Sequence, residues 1–170
     1  MRYGLWMKGK YAPKKCSKDN GFTIIEIVIT LALLTIVMMI AIPNFQRIGV
    51  NGNLRTAARD LVADFNALKE RAIAENRAYT LTFNAGNTYT YSAPALGGNP
   101  AVNVTKSPAS IAGDITFSAI NFGGGPVTFS TRGTITPAAG GNVILANSRA
   151  STATISCNVA GRTSVSFIWQ

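Results

Sequence analysis

Gly21-Phe22-Thr23-Ile24-Ile25-Glu26 is the stretch on which the reading of this 170-residue chain turns. A basic segment precedes it, and an apolar run follows it to Ile42. Across the 21 residues Phe22–Ile42, polar interruptions are confined to Thr23, Glu26, Thr30 and Thr35. As a helix rising about 1.5 Å per residue this run spans about 32 Å, enough for a bilayer core. A carboxylate in such a segment costs roughly 2.5–3.5 kcal/mol at the centre of a membrane helix, and less near its end. A chain end created at Phe22 would offset that cost. Its amine, with an unperturbed pKa of about 7.7–8, is mostly cationic at neutral pH. Phe22 and Glu26 stand at i and i+4, so they share a helix face. In a dry helix bundle an isolated charge is costly, and a carboxylate partner stabilises one register over others. A second role for Glu26 stays open: offsetting the positive end of its own helix and its own amine, with no neighbour involved.

The charge is uneven. The chain carries 16 Lys+Arg and 7 Asp+Glu, a formal +9. Residues 1–21 hold six basic side chains against Asp19, and the remainder holds ten against six. The high pI thus owes much to a short leader, which weakens a nucleic-acid reading of the whole chain. Basic residues before the apolar run predict a cytoplasmic N-terminus, with the remainder facing outward. The run exceeds the usual 7–15-residue core of a secretory signal and ends in Ala41-Ile42-Pro43, a poor cleavage site. A lipoprotein cysteine should follow the run, whereas Cys16 precedes it. With the leader gone Cys157 stands alone, so no internal disulfide forms.

Beyond the run, Pro43 predicts a helix kink. Helical periodicity then resumes: Leu54, Ala57, Ala58, Leu61, Val62, Phe65, Leu68, Ala72 and Ile73 recur at three- and four-residue steps. This is an amphipathic helix laying one stripe on a core. The spacing predicts one long helix, bent or loosened at Pro43 and Gly49–Gly52 and ending near Asn76. From Ala78 the texture turns to Thr, Ser, Gly, Asn and Val. Tyr79–Phe83 and Thr88–Ser92 read as a hairpin around Asn84–Asn87. Short strands are expected near Ile115–Phe117, Val127–Phe129 and Val143–Ala146. A second hairpin joins Thr152–Val159 to Arg162–Trp169 across Ala160-Gly161, with Val165, Phe167 and Trp169 on one face. The expected fold is α+β, a long N-terminal helix packed on a C-terminal antiparallel β domain. Its first half spans the membrane and its second half is amphipathic. The expected divisions are 1–21, a leader that is removed; 22–42, the transmembrane helix; 43–77, the amphipathic helix; and 78–170, the β domain.

Basic leader, Gly-Phe-Thr-Ile-Ile-Glu, apolar run, Pro43, amphipathic helix and β domain together resemble the type IV pilin-like proteins. The chain is most similar to bacterial minor pilins and type II secretion pseudopilins. The N-terminal resemblance covers residues 15–45. The β domain is similar to the GspH/FimT group through the closing Gly161-Arg162 hairpin and Phe129-Ser130-Thr131-Arg132-Gly133. Two positions beyond the arginine, where that group often carries a second basic residue, this chain has Ser164. The resemblance implies that a prepilin peptidase cuts between Gly21 and Phe22 and that Phe22 is N-methylated. It implies that the subunit leaves a bacterial inner membrane, where its C-terminal domain faces the periplasm, for a helical filament cored by the apolar helices. Glu26 would neutralise the new amine of a neighbouring subunit. The implied partners are other pilins or pseudopilins, the peptidase and an inner-membrane assembly platform. The leader starts at Met1 or Met7.

Other functions remain beside this one. Relatives in the FimT branch resemble DNA receptors, and the candidate DNA-binding cations here are Arg162, Arg132, Arg149 and Lys106. Phosphate contacts by such residues would weaken steeply with salt. Four scattered cations are also what a solvated surface carries. A major pilin is a further reading, although paired cysteines that close a loop are usual there and Cys157 is single. An enzyme is the weakest reading. Histidine is absent, and of the six acids after the leader only Asp114 lies beyond the helix. No nucleophile–base set, metal cluster or cofactor motif is apparent. The glycines at 123–125 lack the spacing and lysine of a phosphate loop.

Overall fold

The structure, a computed structural model, describes residues 21–170. The expectations for the leader and its start fall on residues 1–20, outside that range. Contacts divide the chain into two parts between Ala41 and Ile42.

Helix α1 runs from Ile24 to Ala74, 51 residues, with Pro43 inside it. Thr23 starts it: its hydroxyl accepts a hydrogen bond from the Glu26 N–H at 3.2 Å, satisfying one of the donors that a helix start leaves free. Thr30 and Thr35 turn their hydroxyls back onto the Ile27 and Ala32 carbonyls at 2.8 and 2.7 Å. This is how a hydroxyl is carried on an apolar helix without an unmet donor. The helix is unbroken through Pro43, Gly49 and Gly52. It ends three residues before the expected boundary at 77. Asn76 takes a left-handed φ of 49°. The Asn76 and Arg77 amides then donate back to the Ile73 and Ala72 carbonyls, each at 3.3 Å, a Schellman closure.

The amphipathic stripe is as the periodicity predicts, with one exception. Leu54, Ala57, Ala58, Leu61, Phe65, Leu68 and Ala72 are buried, and Val62 is half-buried against them. Ile73 is instead exposed, lying beside Gly133 where the adjacent turn leaves room for it.

Nine strands follow, forming two antiparallel sheets. They are β1 (Tyr79–Asn84), β2 (Thr88–Ala93), β3 (Val102–Lys106), β4 (Thr116–Asn121), β5 (Val127–Phe129), β6 (Ile135–Thr136), β7 (Gly141–Ala146), β8 (Thr152–Cys157) and β9 (Thr163–Ile168). The first sheet has the order β3-β2-β1-β5-β6 and the second β4-β7-β8-β9. Both expected hairpins are present, with Leu81 opposite Tyr91 and Ile155 opposite Val165. Gly86 and Asn87 turn the first one in the left-handed region, at φ 85° and 60°. Inward residues alternate along the strands, so Leu81, Val127, Phe129, Val143, Leu145, Ala153 and Ile155 join the helix stripe in one core. Phe65 sits within it, 6.2 Å from the Phe122 ring and 5.8 Å from the Phe129 ring, centroid to centroid.

A buried arginine closes the helix-to-sheet junction. Arg77 donates to Glu75 Oε2, to the Tyr79 hydroxyl and to the carbonyls of Pro94 and Pro100. Its planar fork reaches several acceptors at once.

Candidate functional site

The N-terminal segment gathers Gly21, Phe22 and Glu26 on exposed backbone and helix. Phe22 is 79% exposed. From there to Ile48 the large apolar side chains all face out, and α1 is long and apolar enough to cross a membrane. Such a continuous apolar surface marks a membrane or protein contact. Glu26 is the one charged residue of Phe22–Ile42. Its backbone is used in the Thr23 cap. Its carboxylate takes part in no hydrogen bond or ion pair among the described residues. An acid at the third helical position is favoured by the helix dipole, and the carboxylate stays free for a further cation.

The four candidate cations of the β unit fall in three places. Arg132 lies in the turn after β5 and Arg162 in the turn between β8 and β9, both exposed. These two turns abut. The Ile135 N–H donates to the Val159 carbonyl at 2.9 Å, and a Cβ placed on Gly161 would stand 2.7 Å from the Gly133 carbonyl oxygen. Gly161 also holds φ at 64°, so glycine is required there by space and by backbone. The Arg162 N–H donates to Asn158 Oδ1 at 2.9 Å. Lys69 of α1 locks this corner. Its Nζ donates to the carbonyls of Ala160 and Gly161 at 2.9 and 3.4 Å. Nothing in helical spacing signals that role.

Arg162 also borders an open cleft of about 520 Å³, lined in part by Ser156, Asn158, Thr163 and Ser164. Cys157 lies beneath it, buried. Burial pushes its thiol up to about 11, against the opposite pull of the Lys69 ammonium.

Arg149 stands at the other end of β8, in the β7–β8 turn. Its guanidinium reaches Gln46 Oε1 at 3.5 Å. Lys106 is not a free cation. Its Nζ donates to both Asp64 oxygens, at 2.7 and 2.9 Å, and Tyr89 donates its hydroxyl to the same carboxylate at 2.6 Å. The hydrogen bond to Asp64 holds the Lys106 ammonium above its ordinary range, against partial burial. Burial, with Asp64 acting in the same direction, raises Tyr89. The structure thus brings Arg132 and Arg162 together and leaves Arg149 and Lys106 apart from them. Among the described residues no three His, Cys, Asp or Glu side chains gather into a metal-holding group.

Two family models match the chain. The Type II transport protein GspH model covers residues 57–161, and the prokaryotic N-terminal methylation motif covers residues 16–42. No curated protein sequence matches. Among solved structures, the fold is similar to the type IV minor pilin FimU of Pseudomonas aeruginosa. That match has TM-score 0.55 and 18% identity, over 68% of this chain and 90% of that one. It is also similar to the minor pseudopilin EpsH from the Type 2 Secretion System of Vibrio cholerae, with TM-score 0.53 and 8% identity, over 67% and 96%. The methylation motif falls on the capped, apolar start of α1, and the larger model runs from Ala57, inside the amphipathic helix, to the Gly161 turn. The chain therefore belongs to the GspH family of pilin-like proteins, the family of minor pilins and pseudopilins.

Proposed function

We propose that this minor pilin or pseudopilin is cut between Gly21 and Phe22, methylated on the new Phe22 amine, and drawn from a bacterial inner membrane into a filament. In this reading residues 1–21 are the removed leader and 22–42 the membrane span and later filament core. Residues 43–77 carry the amphipathic stripe, and 78–170 form the cap that meets neighbouring subunits. The role is structural, and the subunit acts by packing rather than catalysis. Its partners are other pilins or pseudopilins, the prepilin peptidase and the inner-membrane assembly platform. Pro43 gives the helix a bending point between span and cap.

The observation that carries this reading is the Glu26 carboxylate, alone on an exposed apolar helix surface with its backbone already satisfied by Thr23. A cationic chain start from a neighbouring subunit would complete it. Leaving the acid without a cation in a desolvated bundle is the costly alternative. The test is Glu26→Ala, followed by recovery of the subunit in sheared filaments or in the priming complex. Loss of incorporation is expected, and undiminished incorporation would remove the role of Glu26.

A second reading, DNA contact by the β unit, draws support from the abutting turns that carry Arg132 and Arg162. Lys106 contributes little to it, being held by Asp64. A gel shift at low salt tests it. A shift weakened by Arg162→Ala and untouched by Lys106→Ala would favour it; no shift at high micromolar protein eliminates it.

A further inference from the structure

We infer that Arg47, Arg149 and Trp169 form a lipid-headgroup contact. By it the globular part docks on the surface of the bilayer that the apolar segment crosses. The inference rests on the membrane-anchor reading and adds a surface to it.

Arg47 follows the end of the apolar run at Ile42 by five residues, about 8 Å along a helix. That is the depth of a headgroup layer about 5–8 Å thick. The β7–β8 turn is held beside the same stretch. Asn147 donates its amide to Asn51 Oδ1 at 3.0 Å, and Arg149 reaches Gln46 at 3.5 Å. Arg47, Asn51 and Arg55 recur at four-residue steps on one helix stripe. With Trp169 they line an open groove of about 350 Å³.

Among the described residues, Arg47, Arg55 and Arg149 make no ion pair; the pairs present are Arg77–Glu75 and Lys106–Asp64. The acid nearest the turn, Asp114, accepts from the Ser148 hydroxyl at 3.2 Å. Around these cations stand exposed apolar groups: Phe45 at 73%, Ile48 at 69%, Ile168 at 62% and Trp169 at 46%. Indole and apolar side chains interleaved with guanidinium groups fit the membrane–water boundary. There phosphates accept the guanidinium fork and anionic lipid adds attraction. A second copy related by a two-fold axis fits poorly, because it would face these arginines with its own.

The test uses the full chain carrying Trp6→Phe, which leaves Trp169 as the one tryptophan. It is reconstituted into phosphatidylcholine vesicles with and without phosphatidylglycerol. Flotation reports anchoring, and quenching by lipids brominated near the headgroup end of the acyl chain reports docking. Trp169 quenching is expected, stronger with phosphatidylglycerol. Arg47→Gln and Arg149→Gln should each lower the docked-to-free ratio about fivefold, while Arg→Lys at the same positions retains it. A chain that floats with Trp169 unquenched overturns docking and leaves the anchor standing; a chain that does not float overturns both. Quenching indifferent to the Arg→Gln changes overturns the cation role. A fluorescence change on adding inorganic phosphate to the detergent-solubilised chain would assign the groove to a soluble anion instead and overturn the lipid assignment.

Discussion

The Thr23 hydroxyl holds the backbone N–H of Glu26 at 3.2 Å. One residue therefore supplies the helix start, and the other keeps its carboxylate uncommitted. Cap and charge are separable by substitution. Thr23→Ala should loosen the first turn by about 0.5–2 kcal/mol and leave assembly competence largely intact. Glu26→Gln keeps the side-chain shape and loses the charge, and should reduce recovery in sheared filaments well below the Thr23→Ala level. Immunoblotting of sheared fractions against total subunit compares the two. Equal recovery would leave the Glu26 charge no role in assembly beyond that of the cap.

Phe65 is fully buried among Phe122 and Phe129. Truncating a buried aromatic removes transfer energy and leaves a cavity. Phe65→Ala should therefore destabilise the globular part by about 3–5 kcal/mol. Ile40→Ala, on the exposed apolar helix, should leave the melting temperature of the detergent-solubilised chain unchanged. Thermal melts followed by circular dichroism distinguish the two sites.

The amphipathic stripe and the two hairpins could be read in the sequence because each rests on a local signal. For Leu54 to Ala72 that signal is a three- and four-residue step; for the hairpins it is alternation around Gly86 and Gly161. Strands β3 and β6 gave no such signal. Val102–Lys106 is an edge strand that pairs only with β2 and has no buried residue of its own. Ile135–Thr136 is two residues long and exists through its pairing with β5. The same limit applies to the candidate cations. Charge alone marked Lys106 and Arg162 equally. Lys106 faces Asp64 across 42 residues and Lys69 holds Ala160 across 91, and no spacing rule connects either pair.

Gly161 should resist replacement. With φ at 64° and the Gly133 carbonyl oxygen 2.7 Å from where a Cβ would sit, Gly161→Ala must shift backbone at the Arg132 and Arg162 turns. A lowered melting temperature is expected, together with faster amide exchange at Ile135, whose N–H is held by Val159. Unchanged exchange would show the corner to be pliable.

Alkaline pH should unfold the globular part early. The Cys157 thiol, ordinarily near 9.0, is pushed up to about 11 by burial. Its contribution is therefore complete below pH 9 and is lost as pH rises through about 11. Tyr79, Tyr89 and Lys106 are also raised and act with the same sign at higher pH. The melting temperature should fall above pH 9. The wild-type curve should fall faster than that of Cys157→Ala between pH 9 and 11. Parallel curves would contradict a buried neutral thiol.

Mass spectrometry of the N-terminus of the subunit recovered from its native membrane tests the central claim most directly. A chain beginning at Phe22 with a methylated amine is the predicted result, placing a cation where Glu26 can meet it. Functional protein that retains residues 1–21 would contradict the account.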